Sequence, residues 1–154
     1  MMAPAHTAVG VCTSLVIAKA LNVELDVVTL HQALILGAVG ALLPDIDHAN
    51  SKLGSRIPIL PHLLTHRGIT HTVYFIAVCA FLFSRLNLPV WMVYCFCGAM
   101  MSHIIGDMLT PAGIKPFKIW HFFEYKVCLP VLKVPLMEKV IELACYYLIV
   151  TLVL

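Results

Sequence analysis

The chain has 154 residues, a formal net charge of +2, 61% hydrophobic residues and only 12% charged residues, with a mean hydropathy of +0.95. Soluble globular domains carry about 25% charged residues, so this composition excludes an ordinary water-soluble core and points to an integral membrane protein. The apolar spans use more than half of the chain and leave connections too short for a separate soluble core. One domain covering residues 1–154 is therefore expected.

A helix that crosses the roughly 30 Å hydrocarbon layer needs about 20 residues, with a lower limit near 17. The first apolar span, Ala5–Leu21, has no basic residue ahead of it and contains His6. It is expected to stay as a membrane helix and not to be cleaved as a signal peptide. The second, Val27–Leu43, follows the short link Asn22–Asp26, and its Gly37 and Gly40 beside alanines predict close helix packing. The third, Thr70–Leu86, is joined through Asn87–Pro89 to the fourth, Val90–Leu109, where the proline suits a helix start. A fifth, Leu136–Leu154, follows Pro135. The expected fold is all-α, a polytopic membrane bundle of about five transmembrane helices.

Of the six cysteines, Cys12, Cys79, Cys95, Cys97 and Cys145 lie in apolar spans and Cys128 in a loop, which suits packing better than a disulfide framework. Cys95 and Cys97, two apart on a helix, point in different directions and make a poor metal pair.

Helices that run alternately up and down bring the start of the first and third spans and the finish of the second and fourth to one membrane face. Two long loops lie there. Pro44–Ile69 carries Lys52, Arg56 and Arg67, and Thr110–Pro135 carries Lys115, Lys118, Lys126 and Lys133; the other side shows Lys19 and Arg85. The positive-inside rule places the loop-rich face and the N-terminus in the cytoplasm, which implies a multi-pass protein of a bacterial inner membrane with its C-terminus outside.

That same face collects His6, Asp45, Asp47, His66, His71, His103 and Asp107. His103 and Asp107, four apart, share one helix face about a turn apart, which makes either a metal half-site or a buried hydrogen-bonded pair that ties helices together. Ionisable residues inside a span cost roughly 2.5–3.5 kcal/mol each on insertion scales, which favours function. In Leu-Pro-Asp-Ile-Asp-His, Pro44 marks where the chain turns into the interface. Asp45 and Asp47 can both ligate a cation there, or one can ligate while the other orients a histidine; a solvated turn is the bland alternative.

His66-Arg67-Gly68-Ile69-Thr70-His71 supplies two imidazoles around a flexible glycine, with Thr70 a candidate helix cap. Arg67 matches phosphate oxygens as a bidentate clamp, or else serves as an interfacial anchor. Lys52 and Arg56 are alternative cationic helpers. His6 belongs by its position, and His48 could stand behind the ligands. His31, about 21 Å along its helix from Asp45 by helical rise, does not belong; His62 and His121 read as loop residues.

This donor set suits one or two divalent ions, zinc best and manganese next. His6, Asp45, His66, His71, His103 and Asp107 are the candidate ligands, with Asp107 placed to bridge two ions, and Asp47 and Arg67 are the candidate catalytic residues. Such a centre activates water at neutral pH and stabilises charge on a phosphoryl or carbonyl group under attack.

Taken in order, Leu43-Pro44-Asp45-Ile46-Asp47-His48, Leu53-Gly54 with Arg56, His66-Arg67-Gly68-Ile69-Thr70-His71, and Ser102-His103 through Asp107 to Thr110-Pro111-Ala112-Gly113 resemble the YdjM family. The resemblance covers about residues 3–135, with Ile69 and Thr72 replacing an aromatic residue and a serine. It implies an inner-membrane-associated, metal-dependent hydrolase. That family is in turn distantly similar to zinc-dependent phospholipase C and P1-type nucleases, whose His-x3-Asp helix His103 and Asp107 match; no His-x3-Glu accompanies it, since His121 and Glu124 are three apart. The family label brings a LexA association on which these residues offer nothing, and no direct nucleic-acid binding is expected.

The expected function is hydrolysis of a phosphomonoester or phosphodiester, a membrane lipid being one candidate substrate, by metal-activated water at the cytoplasmic face. The alternative is a non-enzymatic membrane protein with a structural metal. An ion or proton carrier ranks last, because the outer halves of the spans offer few polar residues beyond His31.

Overall fold

The computed structural model describes residues 2–57, 59–118, 125–129, 131–132 and 135–154; His121, Glu124 and Lys133 lie outside these described residues. Six helices follow in order: α1 (Ala3–Ala20), α2 (Val27–Leu42), α3 (Ile59–Leu63), α4 (Val73–Ser84), α5 (Val90–Met108) and α6 (Pro135–Val153). Single 3-10 turns occupy Pro44–Asp47, Gly54–Arg56 and Ile69–His71. The described residues contain no strand, only an isolated antiparallel bridge between Ile114 and Val127.

Local chemistry sets the helix ends. The Asp26 carboxylate accepts from the Thr29 backbone N–H at 2.8 Å and caps α2, satisfying one of the donors that every helix start leaves open. Pro44, which cannot sit inside a helix, opens the 3-10 turn that carries Asp45 and Asp47. The third apolar span starts later than its pattern suggests: Thr72, and not Thr70, caps α4 by accepting from Phe75 N–H at 3.3 Å. Thr70 is drawn instead to Asp47.

Helices α1, α2 and α5 pack against one another, α6 lies on α1, and α4 leans on α5. Small residues let the first three approach closely. A Cβ added at Gly37 would stand 2.6 Å from the Val11 Cα, and one at Gly40 would stand 2.6 Å from the Phe96 carbonyl oxygen. The apolar centre runs through Phe96, Met100 and Ile104 of α5 and Ile76 of α4.

Five of these six helices fall on the five apolar spans, but among the described residues only two segments, Val27–Asp47 and Val90–Met108, are long and apolar enough to cross a membrane by length and composition. The full five-span bundle therefore goes beyond what helix length and apolarity show. Helix α4 has 12 residues, about 18 Å at 1.5 Å per residue, because its first residues are taken by the Ile69–His71 turn. Helix α6 opens with Glu138, Lys139 and Glu142, and α1 carries several hydroxyls and Lys19. Exposed apolar side chains nonetheless line α2, α4 and α6, among them Ile35, Phe81 and Leu143, as a lipid-facing surface requires. All six thiols are free, and Cys95 Sγ donates to the Ser14 carbonyl.

Candidate metal centre

Four helix ends and the turns beside them deliver the polar cluster. The first turn of α1 brings His6, the Pro44–Asp47 turn after α2 brings Asp45 and Asp47, the Ile69–His71 turn before α4 brings His71, and the last turns of α5 bring His103 and Asp107. His6, Asp47, His71, His103 and Asp107 are all buried. Charged groups are not buried without partners, so their arrangement has to account for the cost.

His103 Nδ1 lies 2.6 Å from the Ala41 carbonyl oxygen. A carbonyl only accepts, so Nδ1 carries the proton and Nε2 presents a bare lone pair. His71 reaches the same state by a longer route. The Thr70 hydroxyl donates to Asp47 Oδ2 at 2.6 Å, so its oxygen accepts from His71 Nδ1 at 3.1 Å, and Asp47 Oδ2 stands 3.4 Å from that same nitrogen. In the neutral ring, Nε2 is again bare.

These two nitrogens converge. His71 Nε2 lies 3.5 Å from Asp45 Oδ1 and 3.7 Å from Asp107 Oδ2, and His103 Nε2 lies 3.6 Å and 4.0 Å from the same two atoms. Both nitrogens are buried, and neither makes a hydrogen bond among the described residues. Zinc bonds of about 2.0–2.1 Å in a tetrahedron place ligand atoms about 3.3 Å apart, close to the separations of Asp45 Oδ1 from the two histidine nitrogens. The groups Asp45–His71–His103, His6–His103–Asp107 and Asp45–Asp47–His66 could each hold a metal ion.

His6 extends the cluster. Its ring stacks on His103 at 3.8 Å between centroids, and its Nε2 meets Asp107 Oδ1 at 3.2 Å, which leaves a buried Nδ1 without a hydrogen bond among the described residues. Three carboxylates, Asp45, Asp47 and Asp107, surround His71. Burial opposes its protonation, but they outweigh that and lift its pKa from 6.5 to about 9.

Asp47 does not reach the cleft. One oxygen accepts from Thr70 and from the Arg67 backbone N–H at 2.9 Å, the other from His66 Nδ1 at 3.1 Å, and the side chain is fully buried. Arg67 is bent to make that contact: its φ of +58° lies in the left-handed region that a side chain disfavours. Its guanidinium donates to the Gly113 carbonyl at 3.2 Å and lies 3.2 Å from Asp107 Oδ2. The Thr110–Gly113 segment that ends α5 thus shapes the site through Gly113, itself at φ +60°.

A cleft of about 240 Å³ opens on the centre, lined by Asp45, Asp107, His48, His66, Arg67 and Ser51 among others. His48 sits 4.5 Å from His66, ring to ring. His31 is exposed and bonded to its own helix, far from the cluster, and Lys52 and Arg56 are exposed outside it. Sequence reasoning missed Thr70 and the Ala41 and Gly113 carbonyls. Thr70 had a signal, as a hydroxyl beside His71, but backbone carbonyls leave none.

An all-helical membrane protein with a buried histidine–aspartate cluster at one set of helix ends is the class these features define. The model of the YdjM inner membrane protein family matches residues 1–153, and the chain belongs to that family. It is 38% identical over 87 residues to the uncharacterized protein YvsG of Bacillus subtilis, covering 51% of this chain and 52% of that one. It is 39% identical over 84 residues to the inner membrane protein YdjM of Escherichia coli, covering 47% of this chain and 42% of that one, and equally to its Shigella flexneri counterpart. The match thus spans about half the length of these curated relatives. No solved structure matches the chain.

Proposed function

We propose that this protein is a multi-pass hydrolase of the bacterial inner membrane that uses one or two divalent ions, zinc before manganese, to cleave a phosphoester or phosphodiester at the cytoplasmic face. The observation that carries this reading is the pair of buried Nε2 atoms of His71 and His103, without hydrogen bonds among the described residues and each beside Asp45 Oδ1, beneath an open cleft. Asp45, His71 and His103 would hold one ion, and His6, His103 and Asp107 offer a second group. When bound, such an ion polarises water and the phosphoryl oxygen.

The chain's own groups supply the rest. Arg67 presents a guanidinium to the phosphoryl oxygens beside Asp107. Asp47 acts through His71 as a positioning residue, as carboxylates behind metal-bound histidines do. His66, its Nδ1 tied to Asp47 and its side chain 43% exposed at the cleft, hands a proton from Nε2 to the leaving oxygen. Basic residues of the two long loops, seven against two on the other side, support the cytoplasmic assignment.

The test is metal analysis of the purified protein together with hydrolysis of bis(4-nitrophenyl) phosphate in zinc or manganese. One or two bound ions and turnover abolished by His103→Ala in a folded protein are expected. Neither metal nor turnover would overturn the reading. One observation favours a closed structural site instead: His6, His71, His103 and Asp107 are all buried. In that case the protein binds one ion, hydrolyses nothing, and His103→Ala loses its helical fold.

A further inference from the structure

Helix α1 does not finish its own N-terminus. Its N-cap residue, Met2, makes no side-chain cap bond, a proline occupies the first turn, and that turn holds no acidic residue. The same turn carries His6, which is 1% exposed, stacks on His103 at 3.8 Å between ring centroids and sets its Nε2 3.2 Å from Asp107 Oδ1. Helix ends fray more readily than helix centres. The part of α1 least able to hold itself is therefore the part that delivers a candidate ligand.

The missing cap comes from α6. The Met2 backbone N–H donates to Glu138 Oε2 at 2.8 Å, and the Met2 carbonyl accepts from the His6 backbone N–H at 3.1 Å. One residue thus links Glu138 to His6. Of the charged residues that open α6, Lys139 and Glu142 pair with each other at 2.8 Å, whereas Glu138 reaches across to α1. A carboxylate is favoured at a helix N-terminus both by the helix dipole and as a charged acceptor for a backbone N–H. Helix α6 lies on α1, with the first turns of the two side by side, yet none of the candidate ligands is on α6.

Resting on the metal reading above, we infer that Glu138 is a positioning residue for His6: from α6 it caps α1 and so holds the His6 ring against His103 and Asp107, the group that offers a place for an ion. Helix α6 then belongs to the centre without supplying a ligand to it. The carboxylate contributes an acceptor and a charge. An amide at the same position keeps the acceptor alone, and alanine keeps neither, so the two substitutions grade the effect.

The placement of His6 can be read without metal. The full chain in detergent, treated with chelator and carrying 13C-labelled histidine, gives a Cε1–H resonance for each imidazole, and His6→Gln identifies the one from His6. Stacking on His103 sets that resonance apart from a solvated histidine. Glu138→Ala is expected to move it at least halfway to the solvated position, and Glu138→Gln in the same direction but less than half as far. Lys139→Ala, one residue along α6, should leave it in place. Glu138→Gln is isosteric and keeps the fold, so the comparison stands even where Glu138→Ala loses its helical circular dichroism. Zinc affinity, by competitive chelator titration, should fall about tenfold or more in Glu138→Ala, as for other groups that act behind a ligand, and recover in Glu138→Gln. A His6 resonance unmoved by both Glu138 variants, or moved equally by Lys139→Ala, overturns the inference, as does a displaced His6 with zinc affinity unchanged. A parent protein that binds no zinc sinks the metal reading instead, and the metal-free resonance still decides whether Glu138 places His6.

Discussion

His71 comes from the turn before α4 and His103 from α5, and their Nε2 atoms stand 3.5 Å and 3.6 Å from one oxygen of Asp45 with no hydrogen bond among the described residues. Buried polar atoms in folded proteins are nearly always satisfied. Two bare imidazole nitrogens at one carboxylate are therefore a positive statement about what belongs between them. Removing either donor should be felt first in metal content. His71→Ala and Asp45→Asn are expected to lower bound zinc by at least half, measured by elemental analysis after gel filtration, while circular dichroism stays helical. Full metal occupancy in either variant would place the ion elsewhere.

The raised pKa of His71 gives the centre a pH dependence with a definite sign. In metal-free protein the proton on His71 offsets the surrounding carboxylates. That contribution is fully present below the ordinary histidine value of 6.5 and is lost as pH rises through about 9. A divalent ion must displace this proton. Observed affinity should then fall about tenfold for each pH unit below that value, and binding near about pH 7 should release about one proton. Calorimetry in buffers of different ionisation heats reads the release directly, and a heat that does not depend on buffer contradicts it. Chelated protein should lose stability between about pH 6.5 and 9.

Asp47 and Thr70 hydrogen-bond to each other and to residues that hold or flank the centre. Asp47→Asn and Thr70→Val should weaken zinc binding by about 10–100-fold, the usual effect of groups behind metal ligands. Asp47→Asn should do more, because it also releases His66 and the Arg67 backbone. A competitive chelator titration measures both. If Thr70→Val binds zinc as the parent does, the hydroxyl does not set the tautomer of His71.

Alternating helices were enough to read from the sequence that His6, Asp45, Asp47, His71, His103 and Asp107 would share a face, since apolar length alone decides which ends meet. The pairing of His103 with Asp107 was legible for the same reason, as both sit on one helix. What escaped was set by tertiary contact. Thr70 looked like a cap because a threonine stands at the start of an apolar run, but Asp47 claims its hydroxyl and Thr72 caps α4 instead. The number of crossings goes beyond what helix length and apolarity show among the described residues, since apolar residues that form turns count toward a span on paper and not toward a helix.

Close approach of the helices should matter to the centre as much as its ligands do. At Gly37 and Gly40 an added side chain meets backbone, which cannot step aside as a flexible side chain can. Gly40→Val is expected to cost about 1–3 kcal/mol, the range for overpacking, and to separate α2, which leads into Asp45, from α5, which carries His103. Thermal unfolding in detergent and zinc affinity should fall together. A destabilised protein with unchanged zinc affinity would mean that the turn at Pro44 holds Asp45 independently of helix packing.

Arg67 allows backbone and side chain to be separated. Its φ of +58° costs about 1–3 kcal/mol for a residue with a Cβ, a cost that glycine does not bear. Arg67→Gly should therefore be more stable than Arg67→Ala, yet both should lose the guanidinium contacts to Asp107 and Gly113 and with them phosphoester turnover by at least tenfold. Arg67→Lys keeps the charge but not the planar fork, and should recover only a small part. Tm and kcat/KM measured on the three variants decide the matter. If Arg67→Gly regains full turnover, the strained backbone and not the guanidinium is what the site requires.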